Sequence, residues 1–124
     1  MSARSTLFAA AIALFIGVAA GAFGAHTVAT KVTPERLAVW QTAVQYQMWH
    51  GLGLLGVGLL MRESSSPRLL AASAWLFVAG IVLFSGSLYG LVATGITKIG
   101  YVTPLGGIAL LGGWAVLAVG IWRG

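Results

Sequence analysis

The sequence predicts an all-α integral membrane protein, a bundle of four transmembrane helices forming a single domain over residues 1–124. Three observations carry that prediction. Hydrophobic residues make up 59% of the chain and charged residues 7%, with a mean hydropathy of +0.96, too little charge to cover a soluble surface of this size. Four apolar segments, at about residues 5–25, 34–61, 67–92 and 104–122, are each long enough to cross a hydrocarbon core of about 30 Å. All three prolines follow a hydroxyl residue, at Thr33-Pro34, Ser66-Pro67 and Thr103-Pro104. A Ser or Thr cap before proline at the first helical position is a helix start, so these pairs open the second, third and fourth segments.

The first segment carries Arg4 and then a long run of Leu, Phe, Ile, Val, Ala and Gly. Ala20-Gly-Ala22 has the form of a signal-peptide cleavage site, yet a run of about 20 apolar residues is long enough to span, and it reads as a retained helix. Ala10, Ala13, Gly17, Gly21 and Gly24 share one side, and Gly17-x-x-x-Gly21 is a close-packing pattern. The chain turns polar from His26 to Thr33.

The second segment starts with Glu35, a favourable charge in a first turn. At about 1.5 Å per residue it would measure about 42 Å, so its first two turns, with Glu35, Arg36 and Trp40, are expected in the headgroup layer or as a separate short helix. Then come Gln41, Gln45, Tyr46, Gln47 and His50. Polar groups at membrane depth are costly and mark function or packing. With Tyr46 at 0° and about 100° per residue, His50 falls near 40°, Gly53 near 340° and Gly56 near 280°, which places them on one face where the two glycines admit a neighbouring backbone. His50 then lies below the headgroup layer and needs a partner, for which Tyr46, Ser85, Tyr89 and His26 are the candidates.

Arg62–Ser66 is a solvated turn, and the third segment stays apolar until Ser85-Gly-Ser-Leu-Tyr89. Thr94–Val102 reads as a loop with Gly95, Lys98 and Gly100. The fourth segment repeats Gly106, Gly113 and Gly120 at seven-residue spacing, which suits a close left-handed helix contact, and Arg123 stands at its end. Val28-Ala-Thr30 with Val32-Thr-Pro34 echoes Val92-Ala-Thr94 with Val102-Thr-Pro104, the trace that two duplicated helical hairpins would leave. With both termini cytoplasmic, Arg4, Arg62, Arg68 and Arg123 lie inside and Lys31, Arg36 and Lys98 outside, a bias of four against three.

Composition removes several function classes. The chain has no cysteine, hence no disulfide, thiol catalysis or cysteine-ligated metal. The net charge of +5 is scattered at segment ends, as in helices facing anionic headgroups, with no basic cluster for nucleic acid; the bilayer is the expected partner. Aspartate is absent, and Glu35 and Glu63 both sit at membrane edges. Ser85 or Ser87 with His50 would therefore lack an acid to orient the histidine, and proton-coupled transport would lack its intramembrane carboxylate.

What remains is a constellation at one membrane face. His26, Gln45, Tyr46, His50, Ser85, Ser87, Tyr89 and Thr103 all fall toward the same end, whereas the opposite half has little beyond Ser73. Three readings follow: a polar cap of interhelical hydrogen bonds; a pocket for a small molecule or lipid headgroup with Tyr46 and His50 as the recognition pair; or His26 and His50 as ligands of haem or a transition metal. No carboxylate or third histidine supports the last, so no metal site is predicted and no cofactor is named.

Gly21-Ala-Phe-Gly-Ala-His26, Gln45-Tyr46 with His50, Leu83-Phe-Ser-Gly-Ser-Leu-Tyr89, and Thr103-Pro-Leu-Gly-Gly107 with Gly113-Trp114 together resemble the YgdD-like family of small inner-membrane proteins. The resemblance covers nearly the whole chain. It implies four membrane helices, a cell-membrane location and one shared site for the motif residues, and no activity. The leading expectation is a non-enzymatic structural or interaction protein, homo-oligomeric through its glycine stripes. The alternative is a binder or carrier of a small lipophilic molecule or cofactor (lipid, quinone or haem) at the polar end.

Overall fold

A computed structural model describes residues 1–124. The chain is helical throughout: α1 (Ala3–Phe23) runs through a π-helical turn (Gly24–Val28) into α2 (Ala29–Lys31), and α3 (Pro34–Leu60), α4 (Pro67–Thr94), a 3-10 turn (Thr97–Tyr101) and α5 (Thr103–Arg123) follow. Three stretches, Ala3–Lys31, Pro67–Thr94 and Thr97–Arg123, are long and apolar enough to cross a membrane. α3 has the length, at 27 residues, but Gln41, Gln45, Gln47 and His50 dilute its apolar character. It is one continuous helix, with no separate short helix around Trp40.

Local sequence explains the ends only in part. α1 opens on a reciprocal Ser2–Ser5 capping box, and the Thr33 hydroxyl accepts from the Arg36 N–H at 3.3 Å to start α3. The other two expected hydroxyl caps are absent. Ser66 makes no side-chain cap, and Thr103 already lies inside α5, its hydroxyl turned to Ser87 at 2.6 Å. The polar stretch after Ala25 is helical to Lys31, because the π turn carries the hydrogen-bond ladder onward. α4 ends at Gly95, the one residue with positive φ (74°), a left-handed cap that only glycine adopts freely. The two echoing joins thus differ in backbone: one is a π turn, the other a left-handed cap followed by a 3-10 turn.

The helices pack in chain order, α1 on α3, α3 on α4 and α4 on α5, and α1 and α5 do not form a packed pair. Within the four-helix arrangement expected from the sequence, the principal contacts are thus between helices that are neighbours in the chain. Glycine decides the order, since helices in lipid associate by close packing rather than by hydrophobicity. Gly17 lies against Met48, Gly51 against Leu14 and Gly58 against Leu7, which join α1 to α3. Gly80 receives Leu110, Gly106 meets the Phe84 backbone, Gly113 the Phe77 ring and Gly120 the Leu69 and Leu70 side chains, which join α4 to α5. Gly53 makes room for Trp114, whereas Gly56 has nothing within 4 Å and packs on no neighbour in the chain. The core along this row is Ala10, Leu54, Val57, Leu70, Ala74, Phe77, Leu110 and Leu117. Phe8, Phe15, Leu111 and Trp122 point outward, as lipid-facing residues do.

Candidate functional site

The polar groups fall into four small arrangements rather than one cluster. In the first, the Gln47 amide is buried between helices: its Nε2 donates to the Ala13 carbonyl of α1 at 2.8 Å and its Oε1 accepts from the Tyr89 hydroxyl of α4 at 2.7 Å. The Tyr89 ring lies 4.7 Å from that of Trp40, whose indole N–H donates to the Ala20 carbonyl at 2.9 Å. Trp40 fits there because Gly24 has no side chain; a Cβ would stand 2.6 Å from the indole. Three helices are joined by this arrangement.

The second is a single bond, the Ser85 hydroxyl of α4 to the Ala43 carbonyl of α3 at 2.7 Å, with Ser85 fully buried. The third joins α4 to α5: Ser87 donates to the Phe84 carbonyl at 2.9 Å and shares a 2.6 Å hydrogen bond with Thr103. In the fourth, His50 Nδ1 lies 2.7 Å from the Tyr46 backbone carbonyl one turn earlier. A carbonyl only accepts, so Nδ1 carries the proton. Around this imidazole stand Tyr46 at 5.9 Å between ring centres, Phe77 at 5.7 Å and Trp114 at 5.9 Å, and Tyr46 stacks in turn on Phe84 at 4.3 Å.

Two expected members stand apart. His26 is exposed on the π turn and Gln45 is exposed on α3. Gly24 packs on Trp40, ten residues or about 15 Å along α3 from His50, so the two histidines occupy different levels. No three His, Cys, Asp or Glu side chains come together. His50 also takes its partner from the backbone and not from Ser85, Tyr89 or His26.

Four residues that carry these arrangements were not singled out as site residues: Gln47, Trp40, Phe77 and Trp114. Gln47 sits about 100° round α3 from Tyr46 and so left the face chosen for Tyr46 and His50. Its own signal was present, a glutamine one residue from that face and four before Gly51, on the side that α1 covers.

Between α1 and α4, over α3, runs an apolar groove of about 470 Å³ lined by Phe8, Ile12, Leu54, Val78 and Val82, with Gln47 and Tyr89 as its polar groups. A larger cavity, about 680 Å³, opens at the other end of the molecule beside Arg62, Glu63 and Gly124, away from all four polar arrangements.

Apolar outer faces, buried polar groups turned onto neighbouring helices and three helices of spanning length define a small helical membrane protein. Residues 20–107 match the family described as "Protein of unknown function (DUF423)", and the chain belongs to that family. It is 46% identical over 109 residues to the UPF0382 membrane protein YwdK of Bacillus subtilis, covering 88% of this chain and 89% of that one. It is 42% identical over 113 residues to the UPF0382 membrane protein SSP2132 of Staphylococcus saprophyticus, covering 91% and 92%. Against the UPF0382 inner membrane protein YgdD of Escherichia coli K12 the identity is 41% over 123 residues, 99% of this chain and 93% of the relative, in line with the resemblance read from the motifs. No solved structure matches the chain.

Proposed function

We propose that the chain is a non-enzymatic structural or interaction protein of the inner cell membrane. In this reading α3 crosses the bilayer with the other three long helices, and both termini are cytoplasmic. One observation carries the proposal: three buried polar side chains are turned onto the backbone of adjacent helices, at Gln47–Ala13, Ser85–Ala43 and Ser73–Gly113, and no fully sealed side-chain polar atom lacks a hydrogen-bond partner. Groups used in this way fix helix positions and are not free for catalysis. The inner-membrane location follows the name of the Escherichia coli relative. The test is detergent stability together with mass spectrometry of the purified protein for Ser85→Ala and Gln47→Leu. Both variants are expected to lose stability; unchanged stability with loss of a copurified molecule would reject the structural role.

A second reading is favoured by the groove, whose apolar walls and Gln47–Tyr89 end suit one small lipophilic molecule. Organic extracts of the purified protein should then contain one species in stoichiometric amount, and Ala9→Trp, which fills the groove, should exclude it. Self-association has less support than the glycine stripes first indicated, because most of those glycines are occupied within the chain. It rests on Gly56 and Gly86, which meet nothing within 4 Å. Cross-linking that is unchanged in Gly56→Leu would remove Gly56 from any interface.

A further inference from the structure

We infer that His50 is the hydrogen-bond acceptor of a second binding place, inside the membrane, for a lipophilic ring compound that carries a hydroxyl donor, a molecule of the quinol class. The inference goes beyond the structural role, is separate from the α1–α4 groove, and rests on α3 crossing the bilayer.

His50 is 94% buried, its relative exposure being 6%, yet only one of its two ring nitrogens has a partner. With the proton held on Nδ1 by the Tyr46 carbonyl, Nε2 of the neutral ring presents a lone pair. No fully sealed polar atom in the chain is orphaned, so the unpartnered Nε2 is not completely closed off. The hydroxyls of three expected partners are engaged elsewhere, Ser85 with Ala43, Ser87 with Thr103 and Tyr89 with Gln47, and Tyr46 turns its ring face to the imidazole without a hydroxyl bond to it. A fixed, unused acceptor in a mostly closed setting calls for a donor from outside the chain.

Depth and surroundings define that donor. His50 stands ten residues from Leu60, about 15 Å along the helix, or half of a hydrocarbon layer of about 30 Å. Lipid headgroups and water-soluble molecules do not rest at that depth, and a lipophilic ring does. Tyr46 and Trp114 lie within 6 Å of the imidazole with part of their rings uncovered, Trp114 being 44% exposed, while the fully buried Phe77 closes the place from the core side. Gly53 keeps α3 thin beside that indole, where a Cβ would come within 3.0 Å of it.

The test compares decylubiquinol, which has O–H donors, with decylubiquinone, which has none, on the full chain in lipid nanodiscs. The quinol should bind about two- to tenfold more tightly, the range one hydrogen bond supplies. His50→Phe keeps a packing ring and should abolish the preference. As a readout that needs no change at His50, the exposed His26 is replaced (His26→Asn), leaving one histidine for ¹⁵N spectroscopy. The Nε2 resonance should move upfield with the quinol and stay in place with the quinone. Equal affinities with an unmoved resonance overturn the proposal, as does a preference that survives in His50→Phe. Failure of the membrane-crossing reading would be seen separately, as labelling of Thr30→Cys and Ser65→Cys from one side of the membrane.

Discussion

Gln47 is the residue most exposed to a single substitution, because both ends of its amide are committed to other helices. Gln47→Leu leaves the Tyr89 hydroxyl and one acceptor position on the Ala13 carbonyl without partners, and should cost about 1–2 kcal/mol, within the range for an unsatisfied polar group and for hydrogen bonds between membrane helices. Tyr89→Phe keeps the ring against Trp40 and removes only the hydroxyl, so about 1 kcal/mol is expected. The double variant should lose less than the sum, since the two groups no longer leave each other unpaired. Chemical denaturation in detergent measures all three, and strict additivity would show that the pair is uncoupled. Ser85→Ala, which removes one bond to the Ala43 carbonyl, should cost about 0.6 kcal/mol. The same residues show what a sequence reading can reach. Tyr46, His50, Ser85, Ser87, Tyr89 and Thr103 stand out in the sequence as polar residues at depth, but polarity carries no direction. Whether a serine meets a side chain or a carbonyl, as Ser85 does, depends on the rotation of two helices against each other.

Between helices, the glycines separate into those that permit contact and those that only line lipid. A Cβ on Gly106 would fall onto the Phe84 backbone, 2.7 Å from its Cα, where no side-chain rotation can relieve it. Gly106→Ala should therefore force α4 and α5 apart and cost about 1–3 kcal/mol, the usual range for overpacking. Gly56 has nothing within 4 Å, so Gly56→Ala should be neutral or add up to about 1 kcal/mol from helix propensity. Opposite signs for two Gly→Ala changes, read as shifts in melting temperature, are the signature expected; a matching loss at Gly56 would point to a contact outside the chain. Seven-residue spacing made Gly106, Gly113 and Gly120 legible as one contact stripe. The π turn was not legible, because nothing in Gly24–Val28 announces a widened turn. The contact that accompanies it lies twelve or more residues away, the Trp40 indole seated on Gly24 with its N–H on the Ala20 carbonyl.

At the scale of the whole molecule, the presence of four long helices was readable from the hydropathy and the proline starts, but their extent was not, since the first helical stretch continues to Lys31. The order of packing was not, since hydropathy does not say which helix faces which, and only the fit of Gly17 to Met48 or Gly113 to Phe77 selects one arrangement. The same ambiguity leaves α3 as the helix whose crossing has to be measured. With no native cysteine, single cysteines can be placed at Thr30, Ser65 and Thr97, exposed positions in the three connections. Thr97 is preferable to Gly95, whose φ of 74° would strain any other residue. If all four long helices cross and the arginine bias sets the orientation, Ser65→Cys labels only from the cytoplasmic side, and Thr30→Cys and Thr97→Cys only from outside. A membrane-impermeant maleimide on intact cells and on inverted vesicles distinguishes the cases. Thr30 and Ser65 labelled from one side would mean that α3 does not cross. Three sites with every side exchanged would keep four spans and reverse the orientation, which a bias of four basic residues against three makes the outcome most in need of measurement.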